Sequence, residues 1–229
     1  MTAQTTKSIE MDIISNQGLD GRMHGAATWM ARVLKAEESQ IILAIDVCHI
    51  HARAMETQRL SIACRQDYLQ MQIDWLCESA SQFLGEDWNE DILDNLISTT
   101  DINEGDGEDV FSDTFHPQDP NYSDAVVLPL PSYLGMQQAN RLGLLTMVDQ
   151  ELQLREGQAN NALHELRVSL AHKAVIFRTN VRHAGTYNMT TRAWGKVGSA
   201  DVRVQQHAAI YRQCRKQMIA LNASGNTLN

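Results

Sequence analysis

Residue types that bind metal ions crowd together within Asp46–His51. Cys48 and His51 are three residues apart, so on a helix their side chains would share one face and could converge on a zinc ion. Zinc needs four protein ligands in a structural site, or three and a water in a catalytic one. No second pair has ligand spacing, so Cys64 and His24 would have to be recruited by folding. A buried cysteine beside surface histidines is the favoured interpretation, and we predict no metal site.

Other motifs for chemistry are missing from the sequence. An EF-hand loop has Gly at its sixth position and Glu at its twelfth, where the segment 101–112 has Asp106 and Ser112. No nucleophile elbow, phosphate loop, H-E-x-x-H or dinucleotide fingerprint occurs. We therefore predict no catalytic residue, no cofactor, no small-molecule substrate and no enzymatic activity. The enzyme alternative would need a pocket formed by Asp46, Cys48, His49 and His51.

Basic residues near the C-terminus are the candidates for phosphate contacts. Arg178 and Arg182 are four residues apart, as are Arg212 and Lys216, so each pair would share a helix face. No helix-turn-helix, zinc-finger or RNA-binding signature accompanies them. A solvated helix face is favoured, and a DNA-binding surface is the alternative that one continuous positive face would support. The complete set is Arg178, Arg182, Arg192, Lys196, Arg212, Arg215 and Lys216.

Charge is strongly segregated along the chain, whose net charge is −9. Residues 66–140 contain 16 Asp and Glu and no Lys or Arg, whereas residues 141–229 contain 12 Lys and Arg against 5 acids. Such polarity is typical of a chain whose halves attract each other, or of one with two surfaces for two partners.

The composition favours a helical protein. Of the 229 residues 43% are hydrophobic but only 6% are aromatic, and Leu, Ala, Met and Gln are plentiful. No secretory signal or membrane-length apolar run is visible, so we expect an intracellular protein, nuclear or cytoplasmic, without a membrane partner. The four cysteines lack a C-x-x-C pair and are interpreted as buried thiols.

Periodicity divides the chain into five predicted parts. We expect a flexible N-terminus (1–20), a helical bundle (21–98), an acidic linker containing all four prolines (99–131), a long helical hairpin (132–222) and a flexible tail (223–229). The predicted fold class is all-α: a helical bundle plus a long antiparallel helical hairpin, with a disordered acidic linker. The aromatic residues among the linker's acids also suit an interaction segment of the activation-domain type, although a solvated spacer is favoured.

The hairpin is predicted in more detail. Ser132 would cap a helix running to Arg182, with Gly143 and Gly157 as candidate kinks, and its apolar stripe is interrupted only by Arg155. Residues 183–188 would form the turn, and Ser199 is a candidate cap for the last helix. The stripes of such a hairpin need each other or a partner, in the manner of a coiled coil.

Three segments in fixed order carry a family resemblance. The pattern E-x-x-L-R-x-G-Q-A-N-x-A-L-x-x-L-R (Glu151–Arg167) precedes T-R-A-W (Thr191–Trp194) and Y-R-x-x-R (Tyr211–Arg215), after a lead-in at Leu128–Gly135. Together they resemble the region C-terminal to the catalytic core of fungal Kyakuja-Dileera-Zisupton (KDZ) transposase-like proteins. A weaker echo at Ser8–Met11, Leu19-Asp20, His24 and Trp29 is similar to the segment that follows that core.

The resemblance implies a non-catalytic accessory region of a transposon-derived protein. Its role would be self-association or docking to the catalytic region of a related transposase, whose metal-binding acids would lie outside this chain. Arg22 follows Leu19-Asp20, whereas the family places its Arg before them, so a decayed or truncated copy without a selected function is a further alternative. The residue types of Gly157-Gln-Ala-Asn160 suit close helix packing, with Gln and Asn satisfying each other's amides.

Overall fold

The computed structural model describes residues 4–16, 25–49, 55–85 and 126–221. Every regular element within these ranges is helical, which confirms the predicted all-α class. None of the helices in these ranges combines the length and the apolar character needed to cross a membrane. The helices are α1 (Thr6–Asn16), α2 (Ala26–Cys48), α3 (Glu56–Glu78), α4 (Ser81–Leu84), α5 (Pro131–Arg141), α6 (Leu145–Ile176) and α7 (Tyr187–Ala220), with a π-helical turn (Phe177–Val181) continuing α6.

The C-terminal hairpin consists of α6, the π-helical turn and α7. The helix expected between Ser132 and Arg182 is divided at residues 142–144, at the candidate kink Gly143, which adopts a φ of 69° that only glycine tolerates easily. The cap of α7 is Thr186, whose Oγ1 accepts a hydrogen bond of 3.3 Å from the Met189 N–H. The expectation for Ser199 was wrong, because it lies inside α7 and donates to the Gly195 carbonyl.

Helix α1 lies within the stretch expected to be a flexible N-terminus. Its residues Ile9 and Ile13 are buried against the rest of the protein. The contact with α6 is very close at Gly157, where an added Cβ would lie 2.8 Å from the backbone of Thr6. We had suggested that Gly157 could kink α6, but the helix continues through this residue. The absence of a side chain allows α1 to pack directly on α6.

One apolar core unites the two halves of the chain. Its largest cluster contains residues of α1 to α6 together with Leu221 at the end of α7. Leu128 and Leu130, placed by our prediction in the acidic linker, are fully buried in this cluster. Residues 86–125, which hold the rest of that linker and the last part of the predicted bundle, lie outside the described residues.

Candidate functional site

The most unusual feature of this core is the arginine at position 155. Its side chain is entirely buried. The guanidinium pairs with Glu37 of α2 through Nη1, which contacts Oε2, and through Nη2, 3.2 Å from Oε1. Its Nε donates to Glu151 Oε1 at 3.2 Å, one helical turn earlier on α6. The apparent interruption of the apolar stripe is thus the centre of a buried ion-pair network.

Glu151 is held by the first turn of α5. Ser132 donates its backbone N–H to Oε2 at 2.9 Å and its hydroxyl to Oε1 at 2.5 Å. Burial raises the pKa of Glu151, and the charge of Arg155 and the two Ser132 donors counteract part of that rise. Ser132 therefore is not the N-cap that the sequence suggested; Leu130 occupies that position.

Glu37 joins three parts of the fold. Besides Arg155, its Oε1 accepts the Tyr133 hydroxyl at 2.7 Å and the Gln213 side-chain amide at 3.3 Å. Burial, reinforced by the charge of Glu37, raises the pKa of Tyr133 well above its usual value, so this phenol remains a donor. Gln213 also donates to the Tyr133 oxygen at 3.1 Å, which closes a triangle between α2, α5 and α7.

Gln158 completes the network on the side of α2. Its carbonyl oxygen lies 3.2 Å from Arg155 Nη1 and 3.1 Å from the Cys214 sulfur, and its amide nitrogen donates to the Leu34 carbonyl and to Glu38. We had expected the side chains of Gln158 and Asn160 to hydrogen-bond each other. Instead, the Asn160 amide donates to the Gln4 carbonyl at 3.3 Å.

Burial makes one of the four thiols chemically inert. Burial raises the pKa of Cys214 to about 12, whereas Cys64 is exposed on α3. Since the thiolate is the reactive species, a disulfide reagent at pH 8 should modify Cys64 at least ~10-fold faster than Cys214. Peptide mass spectrometry of timed samples measures both rates, with a urea-unfolded sample as the control in which the rates converge. Equal rates in the folded protein would contradict the packing of Cys214.

The exposure of the other thiols differs from our interpretation of all four as buried. Cys48 is exposed, as is Cys64. In the segment weighed as a metal site, Asp46 accepts hydrogen bonds from Arg65 and Gln206 at 2.7 Å each, and His49 Nδ1 lies 2.8 Å from the Ile45 carbonyl. No group of three potential ligands forms a metal site among the described residues. His51 lies outside them, as does the loop 101–112.

The network can hold the fold together but offers little room for chemistry. Glu37, Glu151 and Arg155 are each at most 3% exposed, so a substrate has no access to either carboxylate. Each charged group has several partners with good geometry, which is the condition under which a buried ion pair can be tolerated. This arrangement favours a structural role.

Three of the four motif segments meet in this network. The lead-in supplies Ser132 and Tyr133, the Glu151–Arg167 segment supplies Glu151, Arg155 and Gln158, and Tyr211–Arg215 supplies Gln213 and Cys214. The segment Thr191–Trp194 lies elsewhere, near the turn of the hairpin. Glu37 was not among the predicted site residues. The four-residue spacing of Glu151 and Arg155 suits an ion pair on one helix, but it does not indicate the partner on α2.

The seven candidate phosphate-binding residues do not form one continuous face. All of them are exposed. Arg178, Arg182, Arg192 and Lys196 lie near the turn of the hairpin, whereas Arg212, Arg215 and Lys216 lie near the end of α7. Lys196 and Arg212 are 16 residues apart on one helix, which corresponds to about 24 Å.

A second candidate surface is the outward side of α3. Leu60, Tyr68, Met71 and Trp75 are each at least 51% exposed, and with Cys64 they recur at steps of four, four, three and four residues. Tyr68, Met71 and Trp75 of this row border a groove between α2 and α3 whose α2 rim carries Arg32 and Lys35. The opposite face of α3, with Leu69, Ile73 and Leu76, packs into the core. Helix α3 is therefore apolar on two sides.

Comparison with known proteins neither supports nor excludes the family resemblance. No protein-family model, no curated protein and no solved structure matches the chain.

Proposed function

We propose that the chain is a non-catalytic accessory region of a transposon-derived protein that associates with a second copy of itself through α3. The exposed row on α3 supports this proposal. An exposed apolar row opposite the buried face of a helix is typical of an interaction surface. Steps of three and four residues are those at which two helices interlock their side chains. The enclosed ion-pair network fits a rigid support for such a surface, and the resemblance to KDZ transposase-like proteins supplies the context.

The apolar stripes of α6 and α7 were the other candidate for an association surface. We expected the stripes of the hairpin to need each other or a partner, and in the described part of the chain α1 and α2 also cover much of α6 and α7. Ile41 and Ile45 of α2, for example, pack with Ala162 and Ile210 of the hairpin. The proposed association surface is therefore α3 rather than the hairpin stripe.

The oligomeric state tests this proposal. Multi-angle light scattering of the full chain between about 1 and 100 μM should give twice the protomer mass of 25.7 kDa at the upper end. Changing Tyr68 and Met71 to glutamate should yield a monomer, because two charges cannot be buried in an apolar interface.

A matched control adds the same charge to α3 away from the row. Ala63→Glu with Gln66→Glu changes two exposed residues of the same helix and should leave the dimer intact. A wild-type protein that stays monomeric at 100 μM would remove self-association from the proposal and leave docking to a transposase core. Dissociation in the control variant as well would show that charge alone, and not the row, governs assembly.

A further inference from the structure

The outer part of the hairpin has an unusual charge distribution. Residues 166–200, here called the hairpin tip, contain six Lys and Arg and not one Asp or Glu. Lys173 pairs with Asp201 just beyond this range, at 2.5 Å. Arg178, Arg182, Arg192 and Lys196 are exposed and have no carboxylate within ion-pair distance among the described residues. With Arg167, which is also exposed and outside these ion pairs, the tip presents five uncompensated positive charges, and the four named above lie nearest the turn of the hairpin.

The tip also protrudes from the core. Its apolar cluster consists of Ile176, Val197 and Ala200, with Val181 packed against them, all from the hairpin itself. A Cβ added at Gly195 or Gly198 would have no neighbouring atom of another part of the protein within 4 Å. The N-terminus of the 34-residue α7 lies here and adds its positive dipole end to the same region.

Aromatic side chains accompany these charges. Tyr187 is 85% exposed in the first turn of α7, and Trp194 is 52% exposed. Trp194 is held in place edge-to-face by Phe177, with ring centroids 5.8 Å apart. Exposed aromatic rings between cations are the elements with which proteins bind single strands, because bases stack on the rings while Lys and Arg contact the phosphates.

We propose that the hairpin tip binds single-stranded nucleic acid. The four cations contact successive phosphates, and Tyr187 and Trp194 stack with unpaired bases. The turn itself carries hydroxyl and amide groups, at Thr179, Asn180 and Thr186. These groups suit the sugar-phosphate backbone of a nucleic acid better than a lipid surface. Beside the three cations at the other end of α7, Tyr211 packs against the cluster that contains Ile210, so its ring is less available for stacking and these cations are not part of this site. The site is separate from α3 and does not depend on self-association.

Fluorescence anisotropy of a labelled 12-residue oligothymidylate tests this site on the full chain. Four phosphate contacts predict a salt slope of about −2.8, so affinity should fall about 50-fold between 50 and 200 mM salt. The variant Arg178→Gln, Arg182→Gln, Arg192→Gln should lose most binding and most of the slope. The variant Arg212→Gln, Arg215→Gln, Lys216→Gln removes the same charge at the other end and should bind within about twofold of wild type. Thermal melts check that both variants fold.

Stacking is tested by a second pair of variants. Tyr187→Ala should weaken binding at least about fivefold, while Tyr68→Ala on α3, which removes another exposed tyrosine ring, should not. The proposal is overturned by absence of saturable binding at 50 mM salt or by equal losses in the two arginine variants. It is also overturned if a duplex, poly-glutamate or phosphatidylserine vesicles bind as tightly as the oligonucleotide, or if Tyr187→Ala has no effect.

Discussion

Changing Arg155 to methionine is expected to lower the free energy of unfolding by about 3–5 kcal/mol. Methionine preserves most of the volume, so the loss comes from charge: Glu37 and Glu151 would remain buried without their cation. Urea denaturation followed by circular dichroism at 222 nm measures the change. Arg167→Ala, an exposed arginine on the same helix, is the matched control and should change stability by no more than about 0.5 kcal/mol.

A triple variant separates the ion pairs from the surrounding hydrogen bonds. Combining Arg155→Met with Glu37→Leu and Glu151→Leu removes the three buried charges of the network, which in other buried triads restores stability. Here we expect only partial recovery, because the Ser132 N–H and the Tyr133 hydroxyl lose their acceptors. A loss below about 1 kcal/mol in the Arg155→Met variant would mean that water reaches these carboxylates.

Two glycine-to-alanine changes are expected to have opposite signs. Gly157→Ala places a Cβ 2.8 Å from the Thr6 backbone and 2.9 Å from Ile9 Cδ1, so α1 must shift away from α6. Overpacking of this kind costs about 1–3 kcal/mol, which exceeds the ~0.5–1 kcal/mol that alanine contributes to a helix. Gly195→Ala has open space around it and should stabilise the protein by the latter amount.

Urea denaturation of both variants gives the two signs directly, and hydrogen exchange locates the damage. In Gly157→Ala the amides of α1 should exchange faster than in the wild type, while those of α7 keep their protection. Stabilisation by both substitutions would show that α1 does not lie against α6 at this distance.

Local patterns allowed prediction of the helices but not of what they bury. The apolar periodicity of α6 and α7 is a property of neighbouring residues, and so the hairpin was found, including the break at Gly143. The burial of Arg155 depends on Glu37, which is 118 residues away in the sequence. No local pattern carries that information, and a lone arginine in an apolar stripe has no partner until the chain is folded.

Other differences have similar causes. Helix α1 contributes only Ile9 and Ile13 to the core, too few for its periodicity to stand out against a polar lead-in. Leu128 and Leu130 each precede a proline, which normally indicates a loop, yet extended backbone can bury such side chains equally well. The sequence indicated that Gly157 suits close packing of helices, but the neighbour, Thr6 of α1, is 151 residues away and no local pattern identifies it.

The distance in sequence between Glu37 and Arg155 also has a consequence for biosynthesis. At about 5–20 residues per second, a ribosome needs on the order of 10 s to add the 118 residues that separate them. The same interval separates their emergence from the ribosome, during which Glu37 lacks its cation and the part of α2 around Ile41 and Ile45 lacks its contacts with the hairpin. The nascent chain is thus expected to be a chaperone client, with a slow folding step that waits for α6 rather than for any local structure.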